Sequence, residues 1–96
     1  MAHTFEELIE KQRAADEAHR RVEGLRAQYG PPARTGGWSD TQTQTYDTAW
    51  RAWRDLARDA RTSLTEYARE QGAALGDVES EVAKAVGRAG RAGGHG

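Results

Sequence analysis

Five arginines stand at the spacing that puts them on one side of a helix. With residues placed about 100° apart, Arg51, Arg54, Arg58, Arg61 and Arg69 fall in a sector of about 80°, beside an apolar arc that includes Trp50 and Trp53. Guanidinium groups fork onto carboxylates and phosphates, and indole rings stack or anchor, so the pattern suits docking to an acidic protein or a phosphate backbone. The plainer use of such charges is pairing across a helix seam with acids such as Glu10, Asp16 or Glu23, which fixes helix orientation. Asp55, Asp59, Glu66 and Glu70 occupy the opposite sector.

A second arrangement is Asp16-x-x-His19 with Glu23 four residues later. An acid-x-x-His pair on a helix is how carboxylate-bridged diiron bundles hold metal, provided other helices add inward-facing Glu. The stretch 39–71 has no histidine and its carboxylates point away from its apolar arc, so no metal and no cofactor are expected. His3 and His95 fall in ends expected to fray. The sequence has no Ser-His-acid set, phosphate-binding glycine loop or His-Glu-x-x-His motif. It has no cysteine, which removes thiolate nucleophiles, disulfides and sulfur-bound zinc. The expectation is a protein that is not an enzyme and has no catalytic residues.

The elements that must carry these residues are helical. Thr4 can cap a first helix with Glu7 at the capping-box position, and Leu8, Ala15, Val22 and Tyr29, seven apart, form a seam with Phe5, Ala18 and Leu25. Gly30-Pro31-Pro32 ends it, because glycine takes the left-handed position and proline cannot continue the ladder. After a connector from Gly30 to Trp38, Ser39 with Gln42 opens a second helix. Its apolar arc is Tyr46, Trp50, Trp53, Ala57, Ala60, Leu64 and Tyr67, uninterrupted until Gly72. A short third helix is expected over 77–87 from Val78, Val82, Ala85 and Val86. Residues 87–96, rich in Gly and Arg with nothing large to bury, read as a disordered tail beyond a single domain, 1–86.

The fold class is therefore all-α: an antiparallel hairpin of about 4–29 and 39–71 with a short third helix. The aromatic arc on the second helix is wider than one neighbouring helix covers, so two copies forming a four-helix bundle are expected, with Tyr46, Trp50, Trp53, Leu64 and Tyr67 as core or self-association residues. The alternative is a monomer in which the third helix and Trp38 cover the remainder. Trp38 stands just before the Ser39 cap, where it either staples the helix entrance or meets a partner.

In 96 residues the formal net charge is -1, from 14 basic and 15 acidic side chains. That balance excludes a generally polycationic nucleic-acid binder. The third helix is no better suited to DNA, since Asp77, Glu79 and Glu81 in its first turns repel phosphate. A nucleic-acid-binding role remains the alternative only through the ridge of Arg51, Arg54, Arg58 and Arg61. No apolar run is long enough to span a bilayer, and the first residues carry no basic region followed by an apolar stretch, so a cytoplasmic address is expected. The partner expected is a protein, either another chain or a second copy.

The stretch Gly36-Gly37-Trp38-Ser39, continued by Tyr46 to Ala57, resembles small helical proteins of streptomycete-type actinobacteria, which implies the helical fold and no particular activity. In length and helix-turn-helix plan, residues 4 to 71 are also similar to the WXG100 secreted proteins. That resemblance is architectural, because Gly37-Trp38-Ser39 departs from the family's Trp-x-Gly turn. Gln71, four after Tyr67, stands where that family has an acid. The resemblance implies a hairpin and carries no implication of secretion.

Overall fold

The computed structural model describes residues 3–31 and 37–94, with side chains as far as Gly87. Its described residues are all-helical and contain no strand: α1 is Phe5–Tyr29, α2 is Asp40–Gln71 and α3 is Leu75–Gly94. Connector positions 32–36, which include Pro32 of the expected helix stop, and tail positions 95 and 96 lie outside the described residues, as does His95.

The helix ends follow local chemistry. Thr4 Oγ1 accepts from the Glu7 amide at 3.1 Å, satisfying one of the free donors of the first turn. The reciprocal half of the box is absent there, because the Glu7 carboxylate turns to the His3 imidazole at 2.8 Å, and an ionisable ring outcompetes a neutral amide for it. At α2 both halves form: the Gln42 amide donates to Ser39 Oγ at 3.1 Å, and the Ser39 amide donates to Gln42 Oε1 at 3.0 Å. Gly72, at φ 64° and ψ 29°, ends α2 in the left-handed conformation, and its amide and that of Ala73 close onto Arg69 and Ala68 carbonyls.

α3 is longer than the expected 77–87 at both ends. Ala74 O accepts from the amides of Asp77 and Val78, so the first turn begins at Leu75. At the other end the helical backbone runs on to Gly94. Extending an existing helix adds one hydrogen bond for each residue fixed, and needs neither burial nor a new nucleus.

Side-chain contacts pair α1 with α2 in opposite order along the chain. His3 meets Glu66 and Glu70, Lys11 meets Asp59 and Ser63, His19 meets Trp53, and Tyr29 meets Trp38. The main core sits where the start of α1, the end of α2 and the first turns of α3 converge. There Leu8, Leu64, Ala68, Val78 and Val82 are buried, with Phe5, Tyr67, Leu75 and Val86 packed against them. Farther along, the α1–α2 seam is lined by Ala15, Val22 and Ala49. Ser63 is the buried polar residue among those described, and the Lys11 ammonium donates to its hydroxyl at 2.8 Å, so burial leaves that oxygen partnered.

Leu8 and Leu56 test this placement, since composition counts both as core. Leu8 is 2 % exposed and Leu56 38 %. In thermal and urea unfolding, Leu8→Ala is expected to cost about 3 kcal/mol and to lower the midpoint by roughly 10–20 °C. Leu56→Ala is expected to cost less than about 1 kcal/mol. Equal losses would contradict the position of the core.

Candidate functional site

Small residues line much of the seam between α1 and α2, with Ala15 from α1 and Ala49 and Ala60 from α2 buried alongside Val22. Close approach of two backbones leaves no room for an indole between them. The tryptophans are therefore displaced to the edges. Trp53 is half-buried, its ring centroid 4.6 Å from that of His19. Trp50 lies edge-on to Trp53 at 6.3 Å and is 38 % exposed. The Arg54 guanidinium stands 5.4 Å from the Trp50 ring centroid, a cation–π distance. His19, Trp53, Trp50 and Arg54 thus form a ladder leading from α1 onto the outer surface of α2.

Of Tyr46, Trp50, Trp53, Leu64 and Tyr67, expected as core or self-association residues, Leu64 is buried within the single chain. Tyr46 is half-buried against Trp38, with ring centroids 4.9 Å apart. Tyr67 is half-buried against Phe5 at 6.2 Å. Trp38 packs between Tyr29 and Tyr46 and donates Nε1–H to Gly30 O at 2.8 Å. It therefore staples the end of α1 to the start of α2, with both its ring and its N–H engaged.

The arginine ridge does not pair with α1, contrary to the seam-pairing alternative, because the seam lies well round α2 from it. Arg51 bonds Asp47 within α2 at 2.9 Å. Arg54 reaches the neighbouring Asp55 at 3.5 Å, and Arg61 reaches Glu79 of α3 at 3.3 Å. Arg58 and Arg69 make no ion pair among the described residues. All five are exposed, so each existing pair is worth little, on the order of 0–1 kcal/mol. α3 lies against α2 along its second half, where Ala57, Ala60, Arg61 and Leu64 share a groove with Glu79, Val82 and Val86. Trp50, on the first half of α2, is exposed.

His19 does not gather metal ligands. Its Nε2 is 3.5 Å from Glu23, whereas Asp16 accepts from Gln12 at 2.9 Å. Among the described residues no group of three His, Asp or Glu side chains is placed to hold a metal ion.

His3, expected to fray, instead ties α1 to the end of α2. Its Nδ1 meets Glu7 at 2.8 Å, its Nε2 meets Glu66 at 2.6 Å, and its amide donates to Glu70 at 3.2 Å. The Glu66 carboxylate, followed by that of Glu7, pushes the His3 imidazole above its ordinary 6.5. His3 in turn holds Glu7 below its ordinary 4.5. Beside them, Asp59 pushes the Lys11 ammonium up. The i,i+4 spacing of His3 and Glu7 was legible in the sequence, but the approach of Glu66 and Glu70 depends on the register of α1 against α2.

The raised pKa of His3 gives stability that is complete below about 6.5 and is lost as pH rises through the folded value. The lowered pKa of Glu7 gives stability present above about 4.5 and lost as pH falls through its folded value. Melting temperature is therefore expected to decline from pH 6 to pH 8.5 more steeply in the native chain than in His3→Gln. Parallel profiles would contradict the role given to His3.

Compared with known proteins, the chain matches no family model, no curated protein and no solved structure, so the case for its site rests on the exposed Trp50 of α2 and the geometry around it.

Proposed function

We propose that the chain is a non-enzymatic helical interaction protein that works as a homodimer, its α1 and α2 forming an antiparallel hairpin whose outer α2 face meets the partner. The observation that carries this reading is Trp50. A large apolar ring, edge-on to Trp53 and beneath Arg54, stands 38 % exposed on α2. Tryptophan and arginine together are the side chains that most often anchor protein interfaces, and an aromatic surface left in water is stabilised by being covered.

The nucleic-acid alternative draws less support from the same face. Three of the ridge arginines already have carboxylates beside them, Asp47, Asp55 and Glu79, and these would repel phosphates following the ridge. A protein surface of mixed charge suits the face better.

Sedimentation equilibrium of the native chain and of Trp50→Ala tests the proposal. The native chain is expected to double in mass with concentration, and Trp50→Ala is expected to weaken association at least about tenfold, with unchanged helicity by circular dichroism. A native chain that stays monomeric to millimolar concentration contradicts the reading. A mobility shift with DNA or RNA at low salt, lost in Arg54→Glu/Arg58→Glu, would favour the alternative.

A further inference from the structure

Charge on the outer face of α2 is ordered along the helix. Asp40, Asp47, Arg54 and Arg61 stand seven residues apart, two acids followed by two bases, and all four are exposed. A second row beside it, also at sevens, is Thr43, Trp50, Ala57 and Leu64. Residues seven apart drift by only about 20° on a straight helix, so each row stays on one side over three heptads. The charged row spans about 30 Å and lies roughly 140° around α2 from the seam with α1. Among the described residues, Glu79 of α3 is the side chain from another element that bonds to this row, at Arg61.

Such a row is complementary to itself when reversed. If a second α2 runs antiparallel with the two-fold axis between Trp50 and Arg51, position 47 faces 54 and position 40 faces 61 of the other copy. Each acid then meets a base, four times across the interface, and the Trp50 of each copy lies beside Arg51 of the other, at the centre. Reversing direction is essential, since a parallel pair in register would set like charges against each other. A register shifted by one heptad loses half of the charge pairs, so the row also selects the alignment.

We infer that the partner on this face is a second copy of the chain, docked antiparallel through α2 with Asp40 and Asp47 opposite Arg61 and Arg54 and with Trp50 at the two-fold axis. The inference rests on the homodimer reading above and adds its orientation and register. The Arg51–Asp47 and Arg54–Asp55 pairs do not compete strongly, being exposed pairs within one helix. The heptad drift also sets the crossing: two α2 helices held along this row pack at about +20° with a left-handed twist. α3 lies against α2 at Ala57, Arg61 and Leu64, so it flanks the partner helix at the second half of the row.

Two charge-reversed chains test this. Asp40→Arg/Asp47→Arg carries four bases in the row, and Arg54→Asp/Arg61→Asp carries four acids. Each alone is expected to dissociate at least about tenfold more readily than the native chain, and an equal mixture is expected to form a heterodimer by native mass spectrometry. Because the chain lacks cysteine, a second measurement avoids altering the charged row. Thr43→Cys mixed with Arg58→Cys should be joined by a short bis-maleimide, while neither variant links to itself, since like positions stand about 22 Å apart. Self-linking of Thr43→Cys would overturn the antiparallel register. A native dimer whose mass is insensitive to both charge reversals would overturn this row as the interface while leaving self-association intact. A native monomer at all concentrations would overturn both.

Discussion

Alanine in the seam between α1 and α2 sets the terms for the rest of the molecule. With Ala15, Ala49 and Ala60 buried at the contact, the two helices approach closely over much of their length. Close packing of small residues gains dispersion contacts but buries little apolar area per residue. The large aromatic side chains cannot enter such a seam. They close the connector end, as Tyr29, Trp38 and Tyr46 do, or stand at the margin, as Trp53 and Trp50 do. The large rings are thus kept out of the seam, and Trp50 is left exposed on α2.

The two ends of the helix pair are secured by different means. At one end α3 supplies Val78 and Val82 to complete a three-helix core around Leu8 and Leu64, and His3 and Lys11 bridge to carboxylates and a hydroxyl of α2. At the other, the Trp38 N–H bonds the carbonyl of Gly30 and its ring fills the gap between Tyr29 and Tyr46. Between these ends lies the ladder from His19 to Arg54. Both ends restrain the pair, which preorganises the middle of α2, and preorganisation lowers the entropy cost of docking.

Much of this order was legible in the residues. Thr4, Ser39, Gly30 and Gly72 marked the helix ends because caps are local chemistry, and the sevenfold spacing of Leu8, Ala15 and Val22 marked the buried stripe of α1. Burial of individual α2 side chains was not. Periodicity places Trp50 and Leu64 on one arc, but only the route of α3 decides that Leu64 is covered and Trp50 is not. The fate of the arginines was hidden for a related reason. Asp47 stands four residues before Arg51, a local signal, whereas Glu79 beside Arg61 depends on the turn at Gly72. His3 shows the same limit, its second and third partners lying more than sixty residues away.

If a second copy covers the face around Trp50, the solvent access of that one ring must depend on association. In a chain carrying Trp38→Phe and Trp53→Phe, Trp50 is the sole indole, and acrylamide quenching of its fluorescence reports that access directly. The quenching constant is expected to fall severalfold as concentration carries the chain from monomer to dimer. A constant that stays level while the mass doubles would place the interface elsewhere and contradict the account.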